Sequence, residues 1–324
     1  MVFRKYIFVL GLLLLFSCRH EKAEKVLRLA HGLDTHHPVH KAMVYLGERL
    51  AEKSEGKLTV KIYPGGQLGA ERECLELLQI GSLDITKVSA AVLENFVADY
   101  KLLSIPYIFR DKAHSHAMYD SEVGKEFLLK GTPFRLRGLC FYDAGSRSFY
   151  TKERPVHTPE DLSGLKIRVQ KSNMAVAMVQ LLGGSPTPIS WGELYTALQQ
   201  GVVDGAENNL PSFYSSKHYE VCRYYSFDEH TAVPDILLIG TESWNRLSPE
   251  EQDWLASAAQ ESALFQRKVW AEAEAASLKA IQEAGVEVNY PDKAAFALKT
   301  KDIENLFKDN EEAQRLIKAI KNIE

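Results

Sequence analysis

The sequence predicts an α/β chain folded as two lobes, and three observations carry that expectation. Segments with strand alternation and segments with helical spacing follow one another along the chain. The length of 324 residues provides for two cores at about 150 residues per domain. No low-complexity tract or flexible linker divides the chain, so the lobes are expected to share strands or crossovers. Hydrophobic residues at 45%, charged residues at 25% and a formal charge of -4 exclude intrinsic disorder and a polybasic nucleic-acid surface. An anionic partner therefore has to be met locally.

The first element is a targeting segment: basic Arg4 and Lys5, an apolar run from Tyr6 to Phe16, then Ser17 and Cys18. Leu15-Phe16-Ser17-Cys18 resembles a bacterial lipobox, which implies cleavage before Cys18 and a diacylglycerol on its thiol; a plain signal peptide is the alternative. Residues 1–17 are then the leader and 18–25 a polar tether. No later stretch reaches the ~20 apolar residues of a membrane span. Val26 to His31 alternates as a strand, and Val39, Met43, Leu46 and Leu50 set a helix over Pro38 to Lys53 that Gly56 stops. Leu58 to Tyr63 is a second strand, followed by the turn Pro64-Gly65-Gly66 and a helix through Leu75, Leu77 and Leu78 to Gly81. Strand-length pieces recur at 84–88, 136–142, 165–169 and 236–239, and a parallel sheet is expected.

Three helix starts carry capping chemistry. Thr158-Pro159-Glu160-Asp161 and Ser248-Pro249-Glu250-Glu251 place proline at the first helical position behind a hydroxyl cap, and Ser190-Trp191-Gly192-Glu193 has the capping-box spacing. From Pro249 a helix rich in Ala, Glu and Lys runs to Glu283 before Gly285 ends it. That is far longer than the mean of about 11–12 residues. It suits a brace across both lobes.

Catalytic motifs are absent: no G-x-S-x-G elbow, no phosphate loop, no H-E-x-x-H and no G-x-G-x-x-G turn occurs. Beyond Cys18, the cysteines Cys74, Cys140 and Cys222 form no C-x-x-C pair and read as buried thiols, with one disulfide still possible. His36, His37 and His40 invite a metal reading, but no acidic or cysteine cluster supports it at a recognised spacing. Hydrogen bonding at a helix N-terminus is the favoured reading. Arg147 and Arg168 are the pointed features. Arg168 sits inside the aliphatic strand Leu165-Lys166-Ile167-Arg168-Val169, where a guanidinium requires an anion, either a ligand carboxylate or a structural Asp or Glu.

Five blocks in order resemble one family: Ile62 to Gly69 (IYPGGQLG), Gly81-Ser82-Leu83-Asp84, Ile105-Pro106-Tyr107, Asp161 to Val169 (DLSGLKIRV) and Leu198 to Asn208 (LQQGVVDGAEN). They are similar to the DctP-type solute-binding proteins of TRAP transporters, and the resemblance covers the mature chain. It implies the two-lobed periplasmic binding protein fold, with a long helix bridging both lobes. It implies a receptor that captures a small carboxylate and delivers it to a sodium-coupled membrane permease, without chemistry, cofactor, metal or nucleic acid.

Carried over by residue, Arg168 becomes the principal carboxylate clamp, Asn208 completes it, and Arg147 is a second arginine. The turn Lys87-Val88-Ser89-Ala90 lacks the acidic residue of sialic-acid binders. Glu229 to Asp235 (EHTAVPD) and His36 to His40 (HHPVH) resemble the hexuronate-binding branch. Lys87, Ser89, Glu73, His37, His230 and Asp235 are then candidates for a uronate's hydroxyls, although a solvated glutamate on the helix face is the favoured reading of Glu73. Lobe 1 is expected over 26–144 with a return segment near 233–272, and lobe 2 over 145–232 with the helices of 273–324. The competing readings are a dicarboxylate receptor, a sensor that presents bound ligand to a membrane kinase, and an exported lipoprotein enzyme acting on sugar acids through Glu73 or His37. The expected location is the periplasm, held to a membrane by the lipid at Cys18.

Overall fold

A computed structural model describes residues 25–324, so the leader, Cys18 and nearly all of the tether lie outside the described residues. Among the described residues, eleven strands form two sheets. The first holds β1 (Lys25–Ala30), β2 (Leu58–Tyr63), β3 (Ile85–Ser89), β4 (Leu136–Tyr142) and β10 (Asp235–Gly240) in the order β2-β1-β3-β10-β4. The second holds β5 (Arg147–Thr151), β6 (Lys166–Val169), β7 (Ser185–Pro188), β8 (Gly205–Asn208), β9 (Tyr224–Thr231) and β11 (Glu287–Asn289) in the order β11-β9-β5-β8-β6-β7. The helix Pro38–Lys53 and strand Leu58–Tyr63 fall where the periodicity places them.

The sheets are mixed, not parallel as the sequence suggests. β1, β2 and β3 are parallel, as are β6, β7 and β8, but β10 runs antiparallel to β3 and β4, and β5 antiparallel to β8 and β9. The reason is connectivity. β4 passes to β5, and β9 to β10, through short segments that change sheet, and such a direct crossing carries no helix to return the chain in parallel.

The helix Pro249–Glu283 spans both sheets. Its Leu255, Ala258, Ala259, Ala263 and Trp270 pack into the core beneath the first sheet, and Leu278 and Ile281 into that of the second. The Ser248 capping box is formed, with the Glu251 carboxylate returning to the Ser248 N–H at 2.7 Å, and so is that of Thr158. At Ser190 the side chain makes no cap; a single turn of 3₁₀ helix, Trp191–Glu193, intervenes before the helix Leu194–Gln199. The C-terminal segments divide. Lys293–Thr300 packs against β9, whereas Glu311–Lys321 lies against the helix Glu122–Lys130, which covers β4. Ala313, Leu316, Ile317 and Ile320 form its buried stripe, and an apolar stripe docks where a matching groove exists, whatever the sequence order. Cys74, Cys140 and Cys222 are buried, unpaired thiols, and burial raises them to about 11, 12 and 12. Among the described residues no helix is long and apolar enough to cross a membrane.

Candidate functional site

Between the sheets lies a cavity of about 420 Å³, within the range of small-ligand pockets. It gathers the residues that follow the C-terminal ends of the parallel strands: Gly32 and Leu33 after β1, Gly65 and Gly66 after β2, Gln170 after β6, and Ile189 and Ser190 after β7. Ser89 and Asn208 end β3 and β8, and the antiparallel strands present their first residues there, Arg147 of β5 and Asp235 of β10. Ligands collect at the carboxyl ends of parallel strands because the chain turns away there and leaves a crevice.

Arg168 is 2% exposed. Its Nε donates to the Ile189 carbonyl at 2.9 Å, while Nη1 is buried with no hydrogen-bond partner. Burial holds the guanidinium below its ordinary value, and the like charge of Arg147 adds to this; it stays charged all the same. Arg147 is differently placed. Its Nε and Nη2 grip the Glu207 carboxylate, Nη2 also donates to the Glu207 carbonyl at 2.8 Å, and Nη1 donates to Asn208 Oδ1 at 2.8 Å. Asn208 Oδ1 also accepts from the Asn209 N–H, so its amide nitrogen is the donor left for a ligand.

Burial alone would push Glu207 up, but Arg147 and then His230 bring it to about 2. Burial likewise opposes charge on His230, yet Asp228, at 2.7 Å from Nδ1, and Glu207 raise it to about 9. The result is a buried chain Asp228–His230–Glu207–Arg147–Asn208 that fixes the Arg147 fork from behind.

In the other sheet, Lys87 donates from Nζ to Glu71 at 2.9 Å and to Asp235 at 3.1 Å. Burial pulls its ammonium down, and the two acids outweigh that and leave it raised. Burial, with Glu71 beside it, raises Asp235 against the pull of Lys87. Glu71 also accepts from the Ser89 N–H. His37 caps the helix Pro38–Lys53 by accepting from the Val39 N–H at 3.2 Å. With Nδ1 so used, its proton sits on Nε2, which donates to Ser212 Oγ at 3.1 Å across the cleft. Burial, helped by Lys87, keeps its ring neutral. Trp191 adds an aromatic face to the wall, a surface suited to the C–H face of a sugar ring.

The model of the family described as "Bacterial extracellular solute-binding protein, family 7" (DctP) matches residues 29–310. The chain belongs to this family. Its fold is similar to that of a TRAP periplasmic solute binding protein of Bradyrhizobium sp. BTAi1 b in complex with α/β-D-galacturonate, at 41% identity and TM-score 0.90 over 92% of this chain and 100% of that one. It is similarly close to one of Chromohalobacter salexigens with bound D-glucuronate, at 34% identity and TM-score 0.89 over 92% and 100%. The 2,3-diketo-L-gulonate-binding periplasmic protein YiaO of Escherichia coli is 30% identical over 305 residues, 93% of each chain.

In this family 7 protein, Arg168, Arg147, Asn208, Lys87, Ser89, Glu73, His37 and Asp235 all reach the cavity wall. His230 does not. It is fully buried behind Glu207, against the Phe149 ring at 4.5 Å between centroids, because β9 turns it into the sheet's packing. Glu73 is exposed at the rim; the acid turned inward is Glu71, in the same helical turn. Of the two sequence readings of an arginine, Arg147 takes the structural acid, and Arg168 has none in hydrogen-bond reach. His36 is exposed, and among the described residues no three His, Cys, Asp or Glu side chains group as a metal site. Sequence reading missed Glu71, Glu207, Gln170, Trp191 and Ser212. Glu207 stands next to Asn208 in a motif block, but nothing in the order of residues pairs it with an arginine 60 positions earlier.

Proposed function

We propose that this protein is the periplasmic receptor of a TRAP transporter for a hexuronate, D-glucuronate or D-galacturonate. It closes its lobes over the acid and hands it to a sodium-coupled membrane permease. The observation that carries the reading is Arg168: a buried guanidinium on the cavity wall with an unpartnered Nη1 and no carboxylate of its own. Burying a cation without a counter-charge costs several kcal/mol, and a ligand carboxylate is the group that offsets it.

Arg168 is then the clamp, with Asn208 and the remaining Nη1 hydrogen of Arg147 as further donors. Glu71, Asp235, Lys87 and Ser89 face the ring hydroxyls, His37 lines the wall with both ring nitrogens engaged within the protein, and Trp191 covers one face. The bound-ligand descriptions of the Bradyrhizobium and Chromohalobacter proteins support the uronate class. Lobe 1 is taken as residues 26–144 with the return near 233–272 and the terminal helix, and lobe 2 as 145–232 with 273–300. Binding without turnover is the reading, since His37 is buried and committed at both nitrogens while Glu73 stands at the rim. Membrane attachment through a lipid on Cys18 belongs to the same proposal.

A thermal-shift panel of uronates, dicarboxylates, keto acids and neutral sugars tests it. A ligand at 100 times its Kd stabilises by about 2.7 kcal/mol. Shifts with a uronate and none with glucose are expected. A strong shift with succinate and none with any uronate overturns the substrate, and stabilisation by neutral sugars alone overturns the anion site.

A further inference from the structure

Glu94 is a buried acid that the ligand cavity does not use. It closes the short helix Ala90–Leu93, which follows β3 of the first sheet, and is 3% exposed. It does not line the cavity. Its Oε1 instead accepts from the backbone N–H groups of Asn173 and Met174, at 2.5 and 3.4 Å. Those are the first residues of the helix Asn173–Leu181, which follows β6 of the second sheet. The carboxylate of one lobe thus occupies the positive end of a helix in the other, where two N–H donors have no partner within their own helix.

Its neighbours also cross between the lobes. Asn95 Nδ2 donates to the Lys171 carbonyl at 2.7 Å, and Ser89 Oγ to Gln170 Oε1 at 3.4 Å. The turn Ala98–Ser104 packs against the same helix. Glu94 Oε2 is buried without a hydrogen-bond partner, and the Ser172 hydroxyl, which caps the same helix, lies beside the carboxylate and favours its charged form. A buried acceptor left unsatisfied in a native fold calls for an explanation. It suits a contact that forms and breaks, in which the carboxylate returns to water as the lobes separate and the helix amides are wetted with it.

We infer that Glu94 is a closing latch, a lobe 1 carboxylate that caps the lobe 2 helix Asn173–Leu181 in the closed form and sets ligand residence without touching the ligand. The inference rests on the receptor reading above only for the motion of the lobes. Its consequence is kinetic: the latch forms after the ligand has entered, so its loss lowers the closed population and speeds release.

The test is D-glucuronate binding by stopped flow on Glu94→Ala and Glu94→Gln, with thermal melts of the ligand-free proteins. In Glu94→Ala dissociation should be faster by about tenfold while association stays within about threefold. Glu94→Gln, which keeps a carbonyl oxygen to accept the helix N–H groups, should recover most of the loss. The ligand-free melting temperature should match wild type in both. Unchanged dissociation in Glu94→Ala overturns the latch. A ligand-free melt that falls as far as the ligand-bound one also does so, by making Glu94 a support of the fold. If wild type takes succinate and no uronate, the substrate reading fails, and the same variants measured with succinate still decide the latch.

Discussion

Replacing Arg168 with methionine separates what this side chain does for the ligand from what it does for the fold. Methionine keeps much of the aliphatic stem and removes the guanidinium. In the ligand-free protein the substitution removes one hydrogen bond, from Nε to the Ile189 carbonyl, worth about 1 kcal/mol. It also removes a buried cation with an unpartnered Nη1, a burden of several kcal/mol. The ligand-free protein should therefore melt no lower than wild type. In the complex the sign reverses. Truncating one partner of a desolvated charge pair costs on the order of 2–5 kcal/mol; at 1.4 kcal/mol per decade this is a rise in Kd of about 30-fold to more than 10³-fold. Arg168→Lys should recover little, since a point charge copies neither the fork nor the Ile189 contact. Calorimetry with D-glucuronate, beside melts without ligand, reads both effects. An unchanged Kd in a folded Arg168→Met protein would refute the clamp, and a large fall in the ligand-free melt would make Arg168 a structural residue.

The remaining predictions concern charge and anchoring. His31 and His218 are lowered to about 3, chiefly by burial, and His37 is lowered too; the unfolded chain takes up their protons first, so stability is lost as pH falls below about 6.5. His230, raised to about 9, has the opposite sign: its contribution is complete below about 6.5 and declines as pH rises through 9. Between pH 6.5 and 8 the two effects oppose each other, so the difference between wild type and His230→Gln isolates His230: the wild-type advantage in melting temperature should shrink as pH rises, and a difference that does not change with pH would contradict the Asp228–His230–Glu207 chain. Lys87→Met leaves the buried Asp235 and the half-buried Glu71 without their cation, a loss of about 3–5 kcal/mol. Adding Glu71→Gln and Asp235→Asn should restore most of the melting temperature, and failure of that rescue would show that packing, not charge, dominates there. Cys18→Ser should block lipid attachment and leave uncleaved precursor or a mislocalised protein, with ligand affinity unchanged; unaltered processing would favour an ordinary signal peptide.

Local chemistry was legible in the sequence wherever the physical cause is local. Strand alternation marks β1 and β2, apolar spacing marks the helix Pro38–Lys53, and a serine, a proline and a returning glutamate mark the start of the helix that ends 35 residues later at Glu283. An arginine between aliphatic neighbours announced an anion, because burying a guanidinium without a counter-charge costs several kcal/mol. Direction and partnership were not legible. β5 and β10 run antiparallel because two short crossings change sheets, and a crossing carries no periodic signal. Ser190 has the spacing of a capping box, yet the backbone there forms a 3₁₀ turn that uses no side-chain cap. Arg147 and Arg168 look alike in sequence, and only the fold decides that Glu207 is brought onto the first while the second keeps an unpartnered Nη1. Glu71 and Glu73 differ by two positions on one helix, and its rotation about its axis turns the first toward Lys87 and leaves the second at the rim. Pairing across long sequence separations depends on where whole elements dock, and docking is settled by the burial of apolar faces rather than by the charges that meet as a consequence.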